Sequence, residues 1–399
     1  MSNEIRIAVI GNVDSAKTTT IGVITTNILD DGKGLSRANI LKHPHEKNSG
    51  RTSCVTQNFV KIDNKIFNFV DLAGHEKYLR TTISGLNGYF INYAMLTIGA
   101  DRGIIGMTKE HISVALALKI PIYIVITKKD IAQEQKLNRI LNRLKVIFKS
   151  NFAGKKETII VDNSNIDNVI ESFNNYTTIP IFITSNVTGE NMGNLRKFIY
   201  KLKTTKNIGD IHDPNCKFII DSRFRLPGIG IIVTGITKDG EFKKGDKYFI
   251  GPFRGIYKEV VIKSIHDNFH NQLDSLCSGQ GGCFNIKPIH KRDILNFNSI
   301  RKGHILIKNP SCIWRFTAKI TILHHPTTIK VNYEPTIHCG IIKQNAKIYK
   351  MNKELVRVGD NAIVEFHFLY KPEYIEKGQN IVFREGRTKG IGKVLELLL

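Results

Sequence analysis

Gly11-Asn12-Val13-Asp14-Ser15-Ala16-Lys17-Thr18 stands between the apolar run Ile5–Ile10 and a stretch of helical character, and its reading decides the fold. A strand, a glycine turn and a helix in that order form a loop whose backbone N–H groups point at phosphate, where the helix dipole also favours negative charge. The strict spacing is Gly-x4-Gly-Lys-Ser/Thr, and Ala16 stands in place of the second glycine. On this reading residues Gly11 to Thr19 cradle a nucleotide, Lys17 reaches its β- and γ-phosphates, and the Thr18 hydroxyl binds Mg²⁺. A glycine turn before an ordinary helix is the alternative, so the rest of the chain must choose.

Outward from this loop, residues 1–207 alternate short apolar runs with helical patterns. Strands are expected at Ile5–Ile10, Ile66–Asp71, Tyr93–Gly99, Ile122–Ile126, Thr158–Val161 and Ile179–Thr184. Leu137, Ile140, Leu141, Leu144, Ile147 and Phe148 mark a helix over 136–149 with Lys and Arg opposite. Such alternation predicts an α/β domain with a doubly wound, mostly parallel sheet. Beyond Asp210–Pro214 the helical period vanishes, and short strands alternate with turn signals at Pro227-Gly228, Lys238-Asp239-Gly240, Lys244-Gly245-Asp246 and Gly251-Pro252. That cadence predicts two all-β units, 208–309 and 310–399, with barrels as the natural form.

A nucleotide loop requires partners at the ends of neighbouring strands. Asp71-Leu72-Ala73-Gly74-His75 follows Phe67–Val70 and supplies them. Asp71 is the candidate magnesium ligand, through water. The Gly74 N–H can meet a γ-phosphate because no Cβ intervenes, and His75 then lies beside the attacking water. Thr127-Lys128-Lys129-Asp130 follows the apolar strand Ile122–Ile126 and resembles the Asn-Lys-x-Asp element that selects guanine. The Asp130 carboxylate accepts from the ring N–H and the exocyclic amine, whereas adenine would strand a buried acceptor. The Lys128 stem covers the base face. Thr127 departs from Asn, which puts one supporting amide hydrogen bond in question. Ser185, Asn186 and Val187, after the strand ending near Thr184, fit a last loop whose backbone N–H meets the base oxygen. Four elements in order, each at a strand end, favour GTP/GDP with Mg²⁺ over an ordinary glycine turn.

Composition narrows the rest. Of 399 residues, 58 are Lys or Arg and 35 Asp or Glu, a net charge of +23 that favours phosphate-rich partners. Drift in an AT-rich genome produces the same Lys excess, so both explanations stand. No base-reading module is visible, which argues against DNA sequence recognition and for contacts to backbone and shape. No apolar run reaches the ~18 residues of a membrane helix, and no secretory pattern precedes the first strand, so a cytoplasmic protein with no membrane association is expected. Six scattered cysteines contain no C-x-x-C pair, and the Cys277/Cys283 spacing does not suit zinc.

Longer stretches resemble the translational GTPases of the elongation factor Tu and 1-alpha class and, within it, the eukaryotic GTP-binding protein 1 and 2 branch. They are Gly11–Asp14, Lys42–Glu46 through Ser49–Ser53, Ser185–Asn191, Leu323–Thr328, Ile337–Gly340 and Phe383–Lys389. The resemblance spans nearly the whole chain and implies a GTPase domain followed by two β-barrels. It places switch I at Glu46–Ser53, with Thr52 completing the Mg²⁺ shell beside Thr18 and Asp71. It makes His75 the histidine that positions the hydrolytic water once ribosomal RNA engages it, and Asp14 a loop aspartate that helps arrange the active state. With Lys17 and Gly74 these form the expected catalytic set. Ribosome and tRNA or a tRNA-like RNA are the implied partners of a monomeric, ribosome-stimulated GTPase and elongation factor-like switch. Two departures remain: Ala16, which favours a hydrolysis-impaired regulator or competitor as the alternative, and Arg51, where elongation factor Tu has an apolar gate residue facing Val13.

Overall fold

The computed structural model describes residues 3–38, 40, 55–63, 65–204, 212–289, 295–340, 342–385 and 388–398. The expectations for Glu46–Ser53, including Arg51 and Thr52, lie outside the described residues. Two compact units divide the chain, Met1–Leu86 with Phe90–Thr205, and Asn87–Tyr89 with Lys206–Leu399.

The first unit is built on a seven-stranded sheet with strands in the order β2-β3-β1-β4-β5-β7-β6. These are β1 (Asn3–Gly11), β2 (Thr56–Ile62), β3 (Lys65–Asp71), β4 (Tyr93–Gly99), β5 (Ile122–Thr127), β6 (Glu157–Ile160) and β7 (Thr178–Ile183). All pairings are parallel except that of β2 with β3. Among the described residues the helices are α1 (Lys17–Thr26), α2 (Leu35–Ala38), α3 (Leu79–Gly88), α4 (Gly106–Ala117), α5 (Glu134–Phe148), α6 (Ile166–Asn174) and α7 (Met192–Lys201). Ile5, Ile7 and Val9 of β1 pack with Ile21 and Val23 of α1, Phe173 of α6 and Phe198 of α7. The alternate residues Ala8 and Ile10 are equally buried, as in a sheet covered on both faces. This is why the strands read as continuous apolar runs. Helix α5 buries Ile140, Leu144 and Phe148 and leaves its basic side exposed. Strand β2 went unforeseen: Gln57, Asn58 and Lys61 interrupt its apolar pattern, because it is a half-buried antiparallel edge.

The second unit contains two antiparallel barrels. In the first, β8 (Lys217–Leu226), β9 (Gly230–Asp239), β11 (Lys247–Phe253), β12 (Ile256–Asp267), β15 (Gly281–Pro288) and β16 (Ile305–Ile307) close through the β11–β12 pairing. The short strands β10 (Glu241–Lys243), β13 (Gln272–Leu273) and β14 (Ser275–Cys277) flank it. Phe218, Phe242, Tyr248 and Phe284 fill its centre. Gly251-Pro252 is not a turn; it lies inside β11 at an irregularity of the register, which accommodates a proline without a ladder N–H. The second barrel closes in the order β17-β20-β19-β18-β21-β22. Its strands are β17 (Arg315–His324), β18 (Thr336–Cys339), β19 (Ile342–Met351), β20 (Asn361–Phe368), β21 (Asn380–Glu385) and β22 (Thr388–Leu398), around Phe316, Phe366 and Phe383. Within this unit Glu376 pairs with both Lys217 and Lys238, and Lys217 also meets Asp239 at 2.7 Å. Among the described residues no helix is long and apolar enough to cross a membrane.

Candidate nucleotide site

The loop after β1 forms because its ends are pinned by buried neighbours. Gly11 pairs with Thr97 of β4 and has φ 148°, a value that disfavours side chains. A Cβ there would lie 2.3 Å from the Thr97 carbonyl oxygen, so only glycine fits. Ser15 Oγ donates to the Asn12 carbonyl at 2.8 Å and lies 2.9 Å from Thr97 Oγ1. Lys17 Nζ donates to the same Asn12 carbonyl at 2.7 Å. Burial lowers the Lys17 pKa, against the opposing pull of Asp71 and Asp14. Asp14 and Ala16 both adopt the left-handed conformation, with φ 61° and 58°. The sequence pattern's second glycine therefore answers to backbone conformation as well as to phosphate approach. Alanine at Ala16 carries strain of roughly 1–2 kcal/mol.

Thr18 and Asp71 meet directly, Thr18 Oγ1 donating to Asp71 Oδ2 at 2.6 Å. Asp71 is fully buried at the end of β3. A hydroxyl and a carboxylate so placed are hard oxygen donors suited to Mg²⁺. Gly74 is pressed on the loop: a Cβ would fall 2.6 Å from the Asn12 carbonyl carbon and 2.7 Å from the Gly11 oxygen. The Leu72 N–H donates to the Val9 carbonyl at 3.2 Å, and the Ala73 carbonyl accepts from Thr82 Oγ1 at 2.9 Å. These bonds hold the segment against β1 and the first turn of α3. His75 is exposed and caps the 3₁₀ turn Glu76–Tyr78, its Nδ1 accepting from the Lys77 N–H at 3.1 Å. With Nδ1 engaged as an acceptor, Nε2 is the ring nitrogen available for other contacts.

The base side is tied to the phosphate side. Thr127 Oγ1 donates to the Ser15 carbonyl at 3.1 Å. A side-chain hydroxyl thus links the base side to the phosphate loop. Lys128 has φ 63°, and its ammonium pairs with Asp101 at 2.9 Å. Asp130 accepts from Ser185 Oγ at 2.6 Å, and that oxygen accepts in turn from the Val187 and Thr188 N–H groups. Asn186 turns inward, Nδ2 donating to Thr20 Oγ1 of α1 at 3.0 Å, while Val187 is exposed. A cavity of about 480 Å³ runs between the two ends, lined by Asp14, Ala16 and Thr19 on one side and Lys128, Asp130, Asn186 and Val187 on the other. That size is ordinary for a small-molecule site.

Three residues here escaped the sequence reading. Arg102 pairs with Asp14 at 3.0 Å, Asp101 with Lys128, and His111 of α4 accepts the Gly11 N–H at 3.1 Å through Nδ1. Burial, reinforced by Lys17, pushes the His111 pKa down to about 3, so it stays a neutral acceptor. Asp101 and Arg102 follow β4, and strand C-terminal ends are where α/β sheets bind ligands; that position was the available signal. His111 sits on the buried side of α4 like any packed residue and gives none.

Comparison with known proteins identifies the family and the fold. Residues 2–205 match the family model of the elongation factor Tu GTP binding domain. GTP-binding protein 1 of Xenopus laevis is 38% identical over 99% of this chain and 64% of its own length. For GTP-binding protein 2 of Mus musculus the figures are 32%, 99% and 69%. The chain thus spans about two thirds of these relatives. The elongation factor SelB from Methanococcus maripaludis, solved in complex with the GTP analogue GPPNHP, shares the fold with a TM-score of 0.73 at 20% identity, covering 100% of this chain and 80% of that one. The chain belongs to the elongation factor Tu-like family of translational GTPases.

Proposed function

We propose that the protein binds GTP with Mg²⁺ and hydrolyses it as a switch that acts with the ribosome and a tRNA-like RNA. The observation that carries this reading is the convergence of Lys17, the Thr18–Asp71 pair and Gly74 on the N-terminus of α1. In this reading loop N–H groups and Lys17 hold the β- and γ-phosphates, and Gly74 senses the γ-phosphate through its N–H. Thr18 and Asp71, with Thr52 as the resemblance implies, would hold the metal, which would supply charge neutralisation at the phosphates. Asp130 and the Ser185–Val187 loop select guanine. His75, a surface group on a one-turn cap, orients water when an activator engages it. Phosphoryl transfer of this kind depends on positioning, with unassisted rates near 10⁻⁴ s⁻¹, so an RNA-triggered His75 makes the nucleotide a timer. The two barrels and the net charge of +23 support a grip on RNA backbone.

The left-handed Ala16 favours a second reading, a regulator that binds GTP but turns it over poorly. One set of measurements separates them. Wild-type protein is expected to bind guanine but not adenine nucleotides, and Lys17→Ala to abolish binding. His75→Ala is expected to spare binding and lose ribosome-stimulated turnover. Undiminished turnover in that variant rejects the mechanism; absent turnover in wild type with ribosomes present selects the second reading.

A further inference from the structure

The wall of the nucleotide cavity between its phosphate and base ends comes from the connection that joins α1 to α2, a segment given no role so far. It is firmly built. Helix α2 packs so closely on α1 that a Cβ at Gly22 would lie 2.4 Å from the Ser36 carbonyl oxygen. The buried Asp30 accepts from the N–H groups of Gly32 and Ser36, at 3.1 and 3.0 Å. Its own N–H donates to the Asn186 carbonyl at 2.9 Å, which locks the segment to the base loop. Asp31 Oδ1 collects the N–H groups of Lys33, Gly34 and Leu35.

Both carboxylates are thus turned onto backbone. Asp30 also lines the cavity, but its two oxygens are engaged by the Gly32 and Ser36 N–H groups, and the cations of this wall are Lys33 and Arg37. Lys33 and Arg37 line it with Gly32 and Gly34, and among the described residues neither has an acidic partner. The other cations at the cavity are committed, Arg102 to Asp14 and Lys128 to Asp101. Two unpaired positive charges on a braced wall raise the local potential for an anion. Their segment is tied to the base loop through the Asp30 N–H on Asn186, whereas Lys17, Thr18 and Asp71 belong to the phosphate end; on the nucleotide reading Lys33 and Arg37 therefore face the sugar side.

Resting on the nucleotide reading above, we propose that Lys33 and Arg37 form an anion-binding wall for the sugar and α-phosphate end of a guanosine nucleotide. The wall grips GTP and GDP alike and offsets the strained phosphate loop at Ala16.

The test is equilibrium titration of the 399-residue chain with GTP and with GDP, at low and high salt, for wild type and the double variant Lys33→Ala/Arg37→Ala. Affinity for both nucleotides is expected to fall by the same factor, about fivefold to tenfold at low salt, and by less at high salt. Restoration in Lys33→Arg/Arg37→Lys shows that charge, not shape, is responsible. Unchanged affinities, or a loss confined to GTP, overturn the proposal while leaving the nucleotide site intact. Failure of the wild-type protein to bind either nucleotide instead removes the reading on which it rests.

Discussion

Replacing Ala16 by glycine tests whether the departure in the phosphate loop is a matter of backbone strain or of lost chemistry. Ala16 has φ 58° and ψ 28° as the residue before α1. Its carbonyl accepts from both the N–H and the hydroxyl of Thr20, each at 2.8 Å, so the first turn of the helix fixes this conformation as part of the fold. A Cβ in the left-handed region costs roughly 1–2 kcal/mol. Against that, glycine adds about 0.4–1 kcal/mol of entropy to the unfolded chain. The difference leaves Ala16→Gly more stable by about 0.5–1 kcal/mol, which for a unit of this size is about 1–4 °C in Tm. Because the strain belongs to the fold, relief appears mainly in stability, and affinity for GTP rises less than about threefold. Differential scanning calorimetry of the first transition, with nucleotide titration alongside, reads both. A lower Tm refutes the strain argument. A rise in ribosome-stimulated turnover of tenfold or more refutes the claim that the chemistry is intact and favours the regulator reading.

Two further perturbations probe the links between elements. Thr127→Val removes the hydroxyl that donates to Ser15, and loss of one such buried bond is expected to lower stability by about 1 kcal/mol and to weaken GTP and GDP together; Thr127→Asn should restore most of the loss in the same titration. In the second unit, burial alone would raise the Glu376 carboxyl, but Lys238 and Lys217 override it and hold its pKa at about 2. A carboxylate depressed in the folded state contributes its stability above pH ~4.5 and loses it as pH falls toward 2, at most about 3 kcal/mol. Glu376→Gln should flatten that part of the acid-unfolding profile, read by circular dichroism between pH 2 and 5.

Much of the fold was legible because parallel strands buried on both faces write themselves as apolar runs, as Ile122–Ile126 and Tyr93–Gly99 do. The edge strand Thr56–Ile62 was not, since half its residues meet solvent and its pairing comes from β3 rather than from its own composition. Local signals also located residues 11–19, 127–130 and 185–187 at the cavity, because phosphate loops and guanine loops need particular residues in consecutive positions, but not the wall over residues 30–37 or Arg102. They did not disclose how those segments hold one another. Asn186 reads as part of a loop that meets the base through backbone N–H, and nothing in that reading shows that its side-chain amide donates to Thr20 of α1, a neighbour only after folding. Thr127 reads as a weakened Asn, yet its hydroxyl reaches Ser15 across 112 positions of sequence. Long-range hydrogen bonds leave no periodicity to detect.

His111 is the sharpest instance, and it carries its own prediction. Fully buried, it accepts the N–H of the glycine that opens the phosphate loop. Its proton balance therefore bears on the loop's geometry. Its folded pKa, about 3, lies below the ~6.5 of an unfolded histidine, so the unfolded chain binds a proton that the folded chain refuses. Stability from this group is complete above pH ~6.5 and is lost as pH falls toward 3, at most about 5 kcal/mol. Asparagine can offer an amide oxygen to the Gly11 N–H and does not titrate. His111→Asn should therefore bind GTP within a few-fold of wild type at pH 7.5 and unfold at lower pH than wild type does. His111→Leu keeps the volume but strands the Gly11 N–H, at a cost of about 1–3 kcal/mol, and should lose affinity at every pH. The first unit must show this, since Glu376 governs a lower pH window in the second. Equal acid sensitivity of wild type and His111→Asn would mean that the ring does not stay neutral at its post, and that the loop is held without it.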